Sequence, residues 1–556
     1  MMSRVPLAVI LVGLVAGACG VTASPSPTGA SGRPSGSPSS PPASEAPTGG
    51  GGGTLVVAIS ADPGHLNPAI TTSGATHTAA ELIFNGLVGL DENLEPVPEL
   101  AESWTIDNDG AQYTFKLRDG VTWHDGTPFT SADVKFTFEE VLLKLHARTR
   151  SSVGPVLDGI DTPDAQTVVF RFKQPYAPLL RQLDVTEAPI LPKHIYQGSD
   201  PAKNPANAAP VGTGPFAFES YTPDSEIRLK RNDTYWAPAL PKLDEVVMRV
   251  IPESGSQVIA LEAGEVDWIW GVPGPDEARL DADPEVELLR TDRNPGGSNC
   301  IMTMSFNFDK PILQDVRVRQ AIAHAIDRQQ IVDKILFGQG RVATAPISSG
   351  IGWAHADDIV LPAFDPTAAM AMLDQAGWKA GADGMRIAAG VTGVADGTPL
   401  ALDFLHFPTF ARYGELLRSE LGAVGIELTL EPLEPPVFAE TVFTKRDFDT
   451  NVISYCNGPD PEIGVRRMFD SAQIGPVPFS NAAGYRDSAV DALFTQAQQT
   501  VGNEARGKIY GRIQQTVAAA QPYVWLVETS GVRAYRLPCQ GFQPYAQFAE
   551  AATCAP

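Results

Sequence analysis

Several short segments alternate between hydrophobic and polar residues, and these segments predict strands. Thr54–Ser60 is a continuous apolar run, whereas Gln112–Leu117 and Thr167–Phe172 place an apolar residue at every second position. A period of two is typical of a strand with one buried face, and a short apolar run is typical of a strand buried on both faces. Arg118–Gly120 supplies the turn after the second of these strands.

Longer segments carry apolar residues at helical spacing. Ala79–Leu87 and Gln314–Lys334 are predicted helices of this kind. Pro366–Gly377 and Ala411–Gly422 are predicted helices that end at a glycine, and the second leads into an apolar strand, Ile426–Leu430. Because helices and strands alternate through the second half of the chain, the fold class is predicted to be α/β.

The N-terminus resembles a lipoprotein signal peptide. Arg4 precedes an apolar run, Leu7–Ala18, that is too short to span a membrane, and small residues come directly before Cys19. Residues 1–18 are therefore expected to be removed and Cys19 to be acylated, which would anchor the protein to the outer face of the cytoplasmic membrane. An ordinary cleaved signal peptide with an incidental cysteine is the alternative interpretation.

Residues 19–53 are predicted to form a tether. Gly20–Gly53 consists almost entirely of Ser, Pro, Gly, Thr and Ala. Such a composition cannot bury enough apolar surface to fold. A flexible segment of this kind would keep a folded body close to the membrane while leaving it free to rotate.

The length of the chain and its net charge indicate how many domains to expect and which kind of partner to exclude. The 556 residues exceed what one compact core usually holds, so two or three domains are expected. The formal net charge is −24, and no later segment resembles a transmembrane helix. The acidic balance argues against nucleic acid as a partner, since such binding requires concentrated Lys and Arg.

The neighbouring His124 and Asp125 could suggest an active site, but their context favours a structural role. Asp125 and the glycine after it are a turn signal. Thr130 and Asp133 form a predicted capping box before a helix over Val134–Leu145. The sequence also contains none of the common catalytic, phosphate-binding or dinucleotide-binding motifs. We therefore expect no enzyme, no cofactor and no metal site.

The cysteines after Cys19 are compatible with disulfides. An exported chain can oxidise its cysteines, and four cysteines allow three pairings. The four are Cys300, Cys456, Cys539 and Cys554. Cys539 and Cys554 are close enough in sequence to staple the C-terminal tail. No C-x-x-C occurs in the sequence, so nothing indicates a redox motif or a zinc site.

Six blocks of sequence span nearly the whole body after the tether. They are PELAESWTIDNDG (Pro98–Gly110), YTFKLRDGVTWHDGTPFTSADVKFTF (Tyr113–Phe138), VGTGPFAFESY (Val211–Tyr221), LKRNDTYW (Leu229–Trp236), ALEAGEVD (Ala260–Asp267) and DVRVRQAIAHAIDRQQIV (Asp315–Val332). In this order they resemble the family 5 extracellular solute-binding proteins, which are peptide, nickel and opine receptors of ABC importers.

The resemblance implies a two-lobed periplasmic-binding-protein fold of type II, in which a hinge joins two lobes that enclose the ligand. Lobe I would comprise residues 54–95 and 205–298, with an extra domain at 96–204. Lobe II would comprise residues 299–524, and residues 525–556 would return to lobe I and form the tail. A closed, ligand-bound form would then dock on a membrane permease.

The resemblance also implies which residues bind the ligand. In dipeptide-binding relatives, a loop after the first strand contributes a Thr-Ser-Gly-Thr-Thr run to the site. Thr72, Ser73, Gly74, Ala75 and Thr76 stand at the matching positions here. The hydroxyl residues and the glycine of this run are expected to line the cleft. A surface turn followed by a helix N-cap is the alternative interpretation.

From lobe II, peptide-binding relatives supply an aspartate that pairs with the ligand's α-ammonium, four residues before a proline. Counting back from Pro461 gives Asn457 instead. An amide can accept a hydrogen bond but cannot neutralise a buried ammonium. Asp460 is expected either to pair with the α-ammonium in place of that aspartate or to be a turn residue before the proline. Tyr455, in the same segment, is expected beside the ligand.

Three further expectations come from the family. Arg412 matches an arginine of the dipeptide-binding relatives and would meet a carboxylate or phosphate, or else remain a solvated surface charge. Trp270 lies near the expected lobe boundary and would pack on the ligand or in the hinge. A Cys300–Cys456 disulfide would correspond to that of the oligopeptide-binding relative and fix a loop beside the cleft.

The sequence thus predicts a monomeric, lipid-anchored receptor that captures a peptide or a similar small polar solute and delivers it to an ABC permease. A receptor of the same fold for a nickel chelate, an opine or an oligosaccharide remains open because of Asn457. An anchored hydrolase and a sensor or adhesion module are alternatives from other classes.

Overall fold

The structure is a computed structural model and describes residues 52–291, 299–543 and 547–554. The predicted signal peptide, Cys19 and nearly all of the predicted tether lie outside the described residues. Within the described ranges, no helix is both long and apolar enough to cross a membrane.

Strands occur in both halves of the described chain. In chain order they are β1 (Thr54–Ile59), β2 (Val88–Leu90), β3 (Pro96–Pro98), β4 (Ala101–Asp107), β5 (Gln112–Leu117), β6 (Leu157–Asp164), β7 (Thr167–Phe172), β8 (Phe216–Thr222), β9 (Glu226–Arg231), β10 (Glu245–Val250), β11 (Trp268–Ile269), β12 (Val286–Arg290), β13 (Cys300–Phe306), β14 (Gly340–Val342), β15 (Trp378–Ala380), β16 (Arg386–Ala388), β17 (Ala401–His406), β18 (Glu427–Pro432), β19 (Thr450–Cys456), β20 (Tyr523–Thr529) and β21 (Val532–Arg536). The strands predicted from the hydrophobic pattern are confirmed as β1, β5, β7 and β18.

Helices connect most of these strands. In chain order they are α1 (Gly74–Ala80), α2 (Ser131–Phe136), α3 (Leu143–Leu145), α4 (Ala147–Ser152), α5 (Lys193–Tyr196), α6 (Ser254–Glu262), α7 (Gly274–Asp281), α8 (Val316–Ala325), α9 (Arg328–Lys334), α10 (Pro366–Gln375), α11 (Ala411–Gly422), α12 (Pro435–Ala439), α13 (Pro461–Gly464), α14 (Arg466–Phe469), α15 (Ser488–Gln499) and α16 (Asn503–Ala520). A π-helical segment, Thr137–Leu142, joins α2 to α3, so the predicted helix at Val134–Leu145 is confirmed.

Two helix predictions are wrong in their bounds. α1 ends at Ala80, and the predicted helix over Ala79–Leu87 continues instead as turns and extended backbone. Its apolar residues after Ala80 are buried in the core without forming a helix. Their spacing along the sequence resembles that of a helix because tertiary packing, and not a helix face, buries them. Gln314–Lys334 is divided into α8 and α9, because Ile326 is extended and the Asp327 side chain accepts a hydrogen bond from the backbone N–H of Gln329 to begin the second helix.

Lobe I is the half of the molecule built on a seven-stranded sheet in the order β12-β21-β11-β1-β10-β9-β8. β1 pairs in parallel with β10 and β11, and the remaining pairs are antiparallel. β21 comes from the C-terminal region, so lobe I is closed by the end of the chain.

Lobe II is built on a six-stranded sheet in the order β14-β20-β13-β19-β17-β18. β13 and β19 pair antiparallel near its centre, and Cys300 lies directly opposite Cys456 in this register. The buried side chains of lobe II form hydrophobic clusters of their own.

The extra domain carries a four-stranded antiparallel sheet in the order β4-β5-β7-β6. Phe115 of β5 and Phe170 of β7 belong to the same hydrophobic cluster as Leu55 and Val57 of β1. Because one core is shared, lobe I and the extra domain form a single packed body, to which lobe II is joined.

In the described part of the chain, consecutive strands change from the sheet of one lobe to the sheet of the other at two places. It leaves lobe I after β12 and enters lobe II at β13, and it returns between β20 and β21. The predicted boundary at residue 524 is wrong, since it divides β20. Pairing with β13 and β14 keeps this strand in lobe II as far as Thr529.

Candidate functional site

A cavity of about 540 Å³ lies between the lobes, and we name it the interlobe cavity. One wall comes from lobe I and the extra domain, through residues of the segments 89–99, 184–187 and 235–237. The opposite wall comes from Asn299 and the Gly458–Pro459 pair of lobe II. The volume lies within the range of about 300–1,000 Å³ that is typical of small-molecule sites.

The lobe II wall is held in place by the loop that follows β19. Gly458 has a φ of 69°, a left-handed conformation that favours glycine. The N–H of Asn457 donates to the carbonyl of Asn299 at 2.7 Å, and the Asn299 amide donates to the carbonyl of Gly458 at 3.3 Å. Asp460 then accepts from the N–H of Glu462 at 3.0 Å and begins α13.

Two buried carboxyl groups in the opposite wall have raised pKa values. Burial raises the pKa of Glu99 to about 8, and the nearby Asp184 and Glu550 carboxylates act in the same direction. Burial also raises the pKa of Asp184 to about 7, again with support from neighbouring carboxylates, those of Glu187 and Glu81. For both Glu99 and Asp184, the neighbouring charged groups are carboxylates, and their negative charge disfavours ionisation of the buried carboxyl.

A second cavity, of about 260 Å³, lies in lobe I, and we name it the lobe I cavity. Its lining residues are Gly74, His77, Thr78, Glu81, Leu82, Trp270, Arg533, Gln547 and Phe548. Gln547 also lines the interlobe cavity, so the two cavities adjoin. The guanidinium of Arg533 lies 5.0 Å from the centre of the Trp270 ring. Two of the predicted residues, Gly74 and Trp270, therefore line the same cavity.

The other residues of the Thr72–Thr76 run are placed differently. Thr72 and Ser73 are exposed, and α1 begins at the next residue, an arrangement compatible with the alternative of a surface segment before a helix. Thr76 is buried, and its hydroxyl donates to the carbonyl of Pro63 at 3.2 Å. Thr76 lines neither cavity, and its contact with a ligand stays a prediction.

The three residues predicted from lobe II around β19 do not line the interlobe cavity. Asp460 is fully buried, and its carboxylate accepts two hydrogen bonds from Arg506, at 2.6 and 2.7 Å. Tyr455 is also buried, and its hydroxyl donates to the carbonyl of Ser480 at 2.8 Å. Asn457 points into lobe II, where its Oδ1 accepts from a backbone N–H at 2.7 Å. All three side chains organise the lobe behind the cavity wall.

Arg412 lies outside both cavities. It is exposed on α11, where its Nη2 donates to the carbonyl of Lys334 at 2.8 Å and its guanidinium lies 5.1 Å from the Phe337 ring centre. The geometry matches the alternative of a surface charge.

The cysteines form the pairs Cys300–Cys456 and Cys539–Cys554.

His124 has the structural role that its context indicates. Its Nε2 lies 3.0 Å from the carbonyl of Gly214, and its Nδ1 accepts from the N–H of Gly212 at 3.2 Å. These contacts join the extra domain to lobe I. Burial lowers the pKa of His124 to about 4, so the imidazole is neutral at pH 7. The capping box is confirmed, since the N–H of Thr130 donates to the Asp133 carboxylate at 2.9 Å.

Sequence reasoning missed the carboxylates of the interlobe cavity. Glu99 lies inside the PELAESW block and Asp184 lies between Leu183 and Val185, so each is an acidic residue in a largely apolar context. That context is the signal that could have marked them. Glu550 lies near the end of the chain and offers no comparable signal.

The chain matches the family model described as bacterial extracellular solute-binding proteins, family 5 Middle, over residues 95–476. Protein XP55 of Streptomyces lividans is 30% identical over 515 residues, which cover 87% of this chain and 86% of that protein. The oligopeptide-binding protein AppA of Bacillus subtilis is 29% identical over 492 residues, which cover 85% and 86% of the two proteins.

Solved structures show the same architecture. The structure of AppA from Bacillus subtilis in complex with a nonapeptide has a TM-score of 0.74 and 26% identity, and the match covers 91% of this chain and 100% of that one. NikZ from Campylobacter jejuni in complex with Ni(L-His) has a TM-score of 0.74 and 25% identity, with coverages of 88% and 95%. The predicted two-lobed type II fold is confirmed.

Proposed function

The chain belongs to the bacterial extracellular solute-binding proteins of family 5, and from this we propose that it is the monomeric receptor of an ABC importer that captures short peptides. Its relatives are binding proteins, and the chain is not an enzyme. The observation that carries the proposal is the interlobe cavity, whose walls come from both lobes. A ligand that contacts both walls favours the closed arrangement over an open one.

Contacts between the two bodies support closure as the working motion. The Oδ1 of Asn503, on lobe II, accepts from Arg181 of the extra domain at 3.2 Å, and its Nδ2 donates to Glu95 at 3.0 Å. The guanidinium of Arg181 also lies 5.2 Å from the ring centre of Trp353, on lobe II. Separation of the lobes would break these contacts, so they stabilise the closed form alone.

Asn503→Ala is expected to weaken peptide binding about tenfold, because it removes two hydrogen bonds that only the closed form makes. Calorimetric titration with a short synthetic peptide measures the change. Gln515→Ala is the matched control on the same helix, since its amide bonds Asp358 within lobe II. Equal affinities for both variants and the parent protein would contradict closure by these contacts.

Anchoring and delivery complete the proposal. The apolar run Leu7–Ala18 before Cys19 supports acylation of that cysteine, and the composition of Gly20–Gly53 supports a tether from the membrane to the binding body. A tethered receptor remains near the permease while its lobes open and close, so a captured peptide needs only a short diffusion path to reach it.

A further inference from the structure

The interlobe cavity has more acidic than basic groups in its lining. Among the described lining residues, the single guanidinium is that of Arg148, which donates to the carboxylate of Glu187 at 2.8 Å. Within the described part of the chain, none of the other carboxylates of the lining forms an ion pair. Those carboxylates belong to Asp91, Glu92, Glu99, Asp184 and Glu550. The described lining therefore provides no ion-pair partner for these five groups.

Two of these carboxyl groups are deeply buried. Asp184 is 8% exposed and Glu99 is 6% exposed. Glu99 accepts from neutral donors only, which include the amide of Asn85 at 2.6 Å and that of Gln547 at 3.0 Å. Asp184 accepts from a backbone N–H at 3.2 Å. Burial without a cation favours the protonated carboxyl, in agreement with the raised pKa values of about 8 for Glu99 and about 7 for Asp184. A ligand that supplies a cation would favour the ionised forms and gain charge-assisted hydrogen bonds here.

Apolar side chains line the same cavity beside the acids. They are Leu90, Leu94, Val97, Val185 and Trp236. The described residues of the lobe II wall are uncharged, namely Asn299, Gly458 and Pro459. Lysine and arginine side chains combine a long aliphatic stem with a cationic head, and they bury the stem along apolar surface. A cavity lined by both acidic groups and apolar side chains fits a lysine or arginine side chain better than a compact inorganic cation, which has no apolar part.

We propose that the captured peptide carries a basic side chain, whose cationic head lies against Asp184, Glu99 and Glu550 and whose stem lies along the apolar wall. This inference rests on the proposed function, because it specifies the class of peptide. Hydrogen bonds between ionised partners are stronger than neutral ones, and the cation favours the ionised forms of the three carboxyl groups. Neutral and acidic peptides lack this contribution.

The test uses a synthetic library of tri- to pentapeptides in which every arginine-containing peptide has a twin with citrulline, the neutral isostere. The protein is incubated with the library, separated from free peptide by ultrafiltration, and the retained peptides are quantified by mass spectrometry. Arginine peptides are expected to be enriched at least about tenfold over their citrulline twins, the usual effect of a hydrogen bond to a charged group.

Asp184→Asn and Glu99→Gln test the assignment of the site, since each preserves shape and removes a carboxyl group that can ionise against a cationic ligand. Each is expected to reduce the ratio of retained arginine peptides to retained citrulline twins severalfold or more, and this ratio is the measured quantity. Glu219→Gln is the control, because Glu219 is an exposed carboxylate outside the cavity lining. Thermal melts establish that each variant is folded, and either cavity variant alone is sufficient for the test.

The outcomes separate this inference from the proposed function. Equal retention of arginine and citrulline twins would overturn the basic-peptide inference and leave peptide capture intact. Enrichment that persists in both folded cavity variants would overturn the assigned location. Retention of no peptide at all would overturn peptide capture itself, and with it the inference.

Discussion

Replacement of Cys300 and Cys456 together by serine is expected to lower the free energy of unfolding by about 5 kcal/mol. The disulfide joins residues that are 156 positions apart in sequence. A cross-link over such a long loop removes much of the conformational entropy of the unfolded chain, and the entropy removed grows with loop length. The bond also joins β13 to β19 at the end that leads into the cavity wall. Peptide affinity is therefore expected to decrease as well.

The second disulfide is an internal control. Cys539 and Cys554 are 15 positions apart, so their replacement by serine is expected to cost about 3 kcal/mol. Chemical denaturation of the two double variants and the parent protein measures both differences. A Cys300/Cys456 variant that is no less stable than the Cys539/Cys554 variant would contradict the argument from loop length.

Arg506→Met is expected to lower the free energy of unfolding by about 3–5 kcal/mol. The side chains of Arg506 and Asp460 are 1% and 0% exposed and are joined by two hydrogen bonds. Loss of the guanidinium leaves a buried carboxylate without a cationic partner, since the N–H of Glu462 is a neutral donor. Arg506 also lies 4.9 Å from the ring centre of Trp353, which contacts Arg181 across the lobes. Closure is therefore expected to weaken together with stability.

Two further variants show whether the buried charge causes this loss. Addition of Asp460→Asn to Arg506→Met is expected to restore part of the stability, because the unpaired charge is then absent. Arg418→Met removes an exposed ion pair with Glu415 and is expected to cost less than about 1 kcal/mol. Denaturant titrations compare the three. An Arg506→Met variant as stable as Arg418→Met would refute a stabilising role for the buried pair.

Elements could be predicted from the sequence where their pattern depends on residues close along the chain. Gln112–Leu117 alternates, and β5 occupies these six residues with its three apolar side chains buried. Ala411–Gly422 coincides with α11. Ala79–Leu87 was different, because its apolar residues are buried by contacts with other segments and do not need a helix. Tertiary packing is not visible in a local pattern.

The site could be predicted only in part, because partners distant in sequence decide where a polar side chain points. Asp460 has its partner 46 residues further on, in Arg506, and this contact withdraws it from the ligand. Glu99 and Asp184 become one group only when the interlobe cavity forms. The family resemblance led to Gly74 and Trp270, but no local pattern led to the carboxylates.

Mass spectrometry of the compounds that co-purify with the protein under non-denaturing conditions is the most direct test of the central claim. A closed receptor retains a tightly bound ligand through purification, since dissociation requires the lobes to open. The account predicts a mixture of short peptides, most of which contain lysine or arginine. A single non-peptide compound, or a metal chelate, would contradict peptide capture.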